Sequence, residues 1–121
     1  MRRWLLGFVL TVTLGGCASM APPAPAEPAT GNVPGSVVEV LDESMALLME
    51  SGYVIRHADA DLGRVEAILG RWPGYRVRLE VQPAERGSRV EMTALRGGYP
   101  LPPDLLEPWL MTLRSRLGSG L

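Results

Sequence analysis

The hydrophobic pattern changes period twice after residue 35, and the two changes lay out a folded domain. Ser36-Val37-Val38-Glu39 follows Pro34-Gly35 and has the form of a capping box, in which hydroxyl and carboxylate satisfy the first free amides of a helix. Val37, Val38, Leu41, Met45 and Leu48 recur at three- and four-residue spacing, while Glu39, Asp42, Glu43 and Glu50 lie mainly off that stripe. Gly52 is a stop signal, so the spacing predicts a helix over 36–51.

Period two then takes over. Tyr53-Val54-Ile55-Arg56 begins a strand, Asp59 to Gly63 reads as its turn, and Arg64 to Leu69 returns. After the turn Trp72-Pro73-Gly74, the residues Tyr75, Val77, Leu79 and Val81 alternate strictly with Arg76, Arg78, Glu80 and Gln82. Pro83 to Ser88 makes a hairpin loop, and Val90, Met92 and Ala94 alternate with Arg89, Glu91 and Thr93 in a fourth strand. Such alternation means one buried and one wet face. Gly97-Gly98 ends the sheet, and Tyr99 to Pro103 is an extended connection. A second helix starts at Asp104 or at Glu107-Pro108, carries the stripe Leu106, Leu110, Leu113, Leu117, and stops at Gly118. The predicted fold is α+β in two layers: helix, four-stranded antiparallel sheet, helix, with both helices on one face. The domain spans 36–121.

The segment before it has a different character. Met1-Arg2-Arg3 is a short positive start, and Trp4 to Leu14 is an uncharged, mostly apolar stretch. Its length suits a signal peptide and falls short of the roughly 20 residues that span a bilayer. Leu14-Gly15-Gly16-Cys17 resembles the bacterial lipobox, with small residues that admit a peptidase just before the cysteine. The resemblance implies a signal peptide over 1–16 and lipidation of the Cys17 thiol, here preferred to a conventional secretory signal with an incidental cysteine. Two or more acyl chains hold a protein to a membrane where one does so marginally. Ala18, rather than Asp, follows the cysteine, which by analogy with enterobacteria favours the outer membrane. Residues 17–35, the lipidated cysteine with a Pro/Ala-rich run, read as a tether lacking apolar periodicity. Extended as polyproline II, it would reach on the order of 50 Å.

Composition narrows the function further. The formal net charge is −1, and about −3 once Arg2 and Arg3 are removed, so there is no basic excess to neutralise nucleic-acid phosphates. A single cysteine excludes an internal disulfide and a multi-cysteine zinc site.

Helix, strands and helix in this order resemble the helix-grip modules of the outer-membrane assembly lipoprotein BamC. The chain is also similar to short bacterial lipoproteins that carry a glycine-aromatic strand, an acidic turn and a glycine strand. The matching residues are Gly52 to Ile55, Asp59 to Leu62, and Gly63 to Ala67. The resemblance spans 36–117 and implies a non-enzymatic envelope component without transferring any binding residue.

Candidate chemistry is sparse. His57, Asp59 and Asp61 alternate and would share a strand face as metal ligands, but an Asp-rich turn explains them without metal. His57 as a general base needs a nucleophile, and the serines at 36, 44, 51 and 88 lack any surrounding motif. Glu66, Glu80 and Glu91 share the wet face with Arg56, Arg76, Arg78 and Arg89 and read as cross-strand charge pairs rather than glycosidase acids. Trp72 and Trp109 read as caps on the core edge rather than as a carbohydrate or lipid platform. No enzyme, cofactor or metal is expected. Alternation also turns Ile68 and Leu95 outward among Arg76 and Arg78, a patch with an apolar centre and charged rim. The expectation is a periplasm-facing binding or scaffolding module for an envelope protein or the cell wall. The competing expectation is a carrier holding a lipid or hydrophobic ligand between helices and sheet.

Overall fold

The computed structural model describes residues 27–118, in the order β1 (Ala29–Val33), α1 (Val37–Glu50), β2 (Val54–Asp59), β3 (Arg64–Leu69), β4 (Tyr75–Pro83), β5 (Ser88–Arg96), β6 (Tyr99–Pro100) and α2 (Glu107–Gly118). A short 3₁₀ turn, Pro103–Leu105, precedes α2. The architecture is α+β, an antiparallel sheet in the order β1-β5-β4-β3-β2 with β6 also on β5, and two helices.

The start of α1 forms as its sequence dictates. The Glu39 amide donates to Ser36 Oγ at 3.2 Å, and the Ser36 amide donates to Glu39 Oε2 at 3.3 Å, which completes the capping box. At the other end the Tyr53 amide donates to the Leu48 carbonyl and the Gly52 amide to the Met49 carbonyl, a Schellman closure. The buried face of α1 is Val40, Leu41, Ser44, Leu47 and Leu48. That corrects the expected stripe: Val38 is 54% exposed, and Val40 takes the inward position.

The core face of the sheet is the one the alternation predicted. Val65, Ala67, Val77, Leu79, Val81, Val90, Met92 and Ala94 are all buried. Leu41, Leu47 and Leu48 of α1 and Leu106, Leu110 and Leu113 join them in one cluster, so both helices cover the same side. Val37, Met45, Ile55 and Trp109 pack around its margin. Arg116 ties the helices together through Glu50, at 2.8 Å to each carboxylate oxygen, and through Glu43 at 2.9 Å.

Two departures concern the edge of the sheet. The expected tether over 17–35 ends earlier, because Ala29–Val33 forms β1 and pairs with β5. The folded unit therefore begins before residue 36. Ala29 and Val33 face the core at 3% and 2% exposure, and α2 lies so near the glycine between them that a Cβ on Gly31 would sit 3.9 Å from Leu110. The Asn32 carbonyl on the open side of β1 accepts a bond from Arg114 Nε at 2.9 Å. Nor does Gly97-Gly98 end the sheet. Both glycines have positive φ, the geometry of a tight hairpin turn, and the chain doubles back so that β6 pairs with Leu95 and Arg96. β1 and β6 thus occupy successive stretches of one edge of β5, and six strands replace the four expected.

Candidate functional site

The face away from the helices is ordered in cross-strand rows. Register places Val54 beside Ile68, Ile68 beside Arg76, Arg76 beside Leu95, and Leu95 beside Pro100. This row runs from the β2 edge to β6 and is apolar except at its middle. Ile68 and Leu95 are half-buried and face outward as expected, with Arg76 between them. Val54, which the alternation did not single out, extends the row and is 63% exposed.

The next rows are charged. His57, Glu66, Arg78 and Thr93 are successive neighbours, followed by Asp59, Arg64, Glu80 and Glu91. Arg64 stands 3.3 Å from Glu80, Arg78 stands 3.6 Å from Glu66 and 3.7 Å from Glu80, and Arg89 stands 3.3 Å from Glu91. Arg64–Glu80 and Arg78–Glu66 are cross-strand pairs of the expected kind, whereas Glu91 pairs with Arg89 on its own strand and Arg56 and Arg76 join no ion pair among the described residues. Glu80 and Glu91 are direct neighbours, an unfavourable like-charge contact that their arginine partners offset. Partly exposed pairs of this kind contribute at most about 1 kcal/mol each.

Over these rows lies an open groove of about 460 Å³, lined by Pro28, Glu66, Arg76, Arg78, Glu91 and Leu95 among others. A second depression of about 410 Å³, at the end of the sheet, is bounded by Ile68, Arg76, Leu95, Pro73 and Gly97. Arg76 and Leu95 line both. Neither lies between helices and sheet, where Leu48, Leu79, Leu110 and Leu113 are each at most 4% exposed.

The remaining candidates have structural occupations. Asp59 Oδ1 accepts the Asp61 amide at 3.0 Å and the Leu62 amide at 3.1 Å, so it serves the turn. Among the described residues no three His, Cys, Asp or Glu side chains stand together in a metal-binding group. Ser36 caps α1, Ser51 Oγ donates to the Leu47 carbonyl, and Ser88 Oγ donates to the Gly35 carbonyl. Ser44 Oγ is buried without a hydrogen-bond partner. Trp109 packs on the core margin as expected, with its buried Nε1 unpartnered. Trp72, in the loop between β3 and β4, does not: at 90% exposure it caps nothing. Burial raises the pKa of the Tyr53 hydroxyl, with a smaller contribution from Tyr75.

Cys17 and the expected signal peptide over 1–16 lie outside the described residues. Among those described, no helix is long and apolar enough to cross a membrane. No protein-family model and no curated protein matches the chain.

Proposed function

We propose that this chain is a lipoprotein of the bacterial cell envelope, cleaved before Cys17, lipidated there and held at the outer membrane facing the periplasm. Its domain acts as a non-catalytic docking module for an envelope protein or the cell wall. The observation that carries this reading is the uncovered row Val54–Ile68–Arg76–Leu95–Pro100 beside charged rows. An apolar centre with an arginine in it and a rim of charged residues is the composition of a modest interface. Arg76 and Arg78 would supply directional hydrogen bonds to an acidic group on the partner, and Ile68 and Leu95 the contact area. The filled interior favours docking over carriage of a ligand, which needs about 300 Å³ or more of enclosed space.

The test is Ile68→Asp combined with Leu95→Asp in the lipidated protein. The double variant keeps its melting temperature and its acyl group, yet loses the partner that cross-links to the parent. A folded variant that retains every cross-linked partner places docking elsewhere.

A further inference from the structure

We propose that the end of the sheet bearing Trp72, Tyr99, Arg71 and Arg96 is a contact surface for an anionic lipid bilayer. The proposal rests on the lipid-anchored reading and adds an orientation to it.

Exposure is the first observation. Trp72 is 90% exposed and Tyr99 is 79% exposed, although each has a hydrophobic body that water does not favour. Their loops are fastened together, since the Gly97 amide donates to the Gly74 carbonyl at 2.8 Å. A Cβ on Gly97 would stand 3.2 Å from Pro73, so the β3–β4 loop and the β5–β6 turn touch. Two aromatic residues are therefore presented from one braced end. Tryptophan and tyrosine are the residues enriched where protein meets lipid headgroups.

Charge is the second. Arg64, Arg78 and Arg89, farther along the sheet, are each paired with a glutamate. Arg71, Arg76 and Arg96 belong to the Trp72 end and have no ion pair among the described residues. The Arg96 guanidinium carbon lies 6.0 Å from the centre of the Tyr75 ring, a contact with an aromatic face and not with a carboxylate. The acid at the end of α1, Glu50, is taken by Arg116. Although Glu27, just before β1, also lacks an ion pair, this end thus gathers three arginines without a carboxylate partner. Anionic headgroups attract such residues.

Chain direction is the third. β1 is antiparallel to β5, with Ala29 opposite Met92 and Val33 opposite Ser88. The polypeptide consequently enters β1 from the end of β5 that leads to Gly97, and Pro28 lies beside Leu95 in the open groove. Only the residues 18–28 separate this entry point from Cys17, a reach of roughly 34 Å as polyproline II. An anchor at Cys17 brings this end of the domain to the bilayer first.

The experiment uses the chain from residue 17 with Cys17→Ser, so that no acyl group contributes; every strand pairing and core contact described lies within 27–118. Two tryptophans remain, Trp72 and the half-buried Trp109. Vesicles of phosphatidylethanolamine with phosphatidylglycerol should sediment the protein and shift Trp72 emission to the blue, while phosphatidylcholine vesicles should do neither. Trp72→Ser should abolish the shift, and Arg71→Gln with Arg96→Gln should weaken binding by roughly 25-fold at low salt, about five-fold per arginine. Absence of binding to the anionic vesicles, or binding that ignores these substitutions or the lipid charge, overturns the proposal. So does a Trp72 that a cross-linked protein partner buries in place of lipid. Acyl incorporation at Cys17 in cells is scored separately: an acylated parent whose unlipidated form ignores vesicles removes this inference and leaves the anchor standing, whereas a parent that takes no acyl group removes the anchor.

Discussion

Leu48→Ala and Val38→Ala form a matched pair on α1, because the two leave the same backbone and differ in which way they point. Leu48 is 1% exposed and lies in the cluster with both helices and the sheet. Truncation removes three carbons, a transfer loss of about 2.4 kcal/mol at 0.8 kcal/mol for each. The cavity left behind adds up to roughly 2.5 kcal/mol, depending on how far the neighbours collapse. The expected loss is therefore about 2–5 kcal/mol, a large part of the roughly 5–10 kcal/mol that a small domain possesses. Thermal melting should fall by roughly 10–25 °C for a domain of this size. Val38, at 54% exposure, has little burial to lose. Alanine's better helix propensity offsets what remains, so its melting point should move by no more than about 2 °C. The assay is a far-UV circular dichroism melt at constant pH and concentration. A Leu48→Ala melt within about 5 °C of the parent, or a Val38→Ala melt that drops as far as Leu48→Ala, would refute the assigned face of α1.

Gly63→Ala should be far more damaging than Gly74→Ala. Both positions have positive φ, worth about 1–2 kcal/mol against alanine, but a Cβ on Gly63 would fall against the Val81 carbonyl oxygen while one on Gly74 meets open space. Equal melting shifts for the two would show that the close approach of the β2–β3 turn to β4 is wrong. Hydrogen bonding from Arg116 holds the Glu50 carboxyl below its ordinary pKa. That linkage supplies stability present above the unfolded-state pKa and lost as pH falls through the folded one, so it fades below about pH 4.3. Arg116→Met should return the Glu50 titration, followed by carbon-detected NMR, toward the ordinary carboxylate value, and an unchanged titration would sever the pair. Cys17→Ser should abolish incorporation of labelled palmitate and leave an unprocessed or mis-cleaved precursor; continued labelling would place the acyl group on another residue.

The central part of the fold was legible because each element's inward positions are long runs of the right period. Tyr75 to Val81 and Arg89 to Ala94 alternate without a break, and their burial follows the alternation residue by residue. β1 was illegible for the opposite reason. Ala29-Thr30-Gly31-Asn32-Val33 offers only two apolar side chains, and between them stands a glycine that suits the approach of α2. Its strand character comes from the free edge of β5 and from Leu110 and Arg114, residues some eighty positions away, and no local pattern carries that. Val38 was misassigned because both Val37 and Val38 fit a three-to-four spacing with Leu41. What separates them is the side each presents in the folded chain, Val37 against the core and Val38 to the outside. The open face was readable as alternation, hence Ile68, Leu95, Arg76 and Arg78. Its organisation into rows was not, because a row depends on the register of every strand pair, including the shift between Ile55 and His57. Trp72 failed as a core cap because whether a turn residue folds inward is decided by the loop's direction, which the identity of the residue does not encode.

The placement of β1 also determines how the domain would bear a pull. Five successive residues, Ala29 to Val33, are registered against β5, and the side nearer Cys17 is the Ala29 end of this strand. Ladder bonds in an antiparallel pair lie perpendicular to the strands. Tension drawn through the tether therefore loads them together, in shear, instead of peeling them open one after another from a free end. Arg114, bonded to the Asn32 carbonyl, lies near the last of these pairs and resists the same sliding motion. If the protein is tethered as proposed, a pull on the anchor meets a registered strand before it reaches either helix.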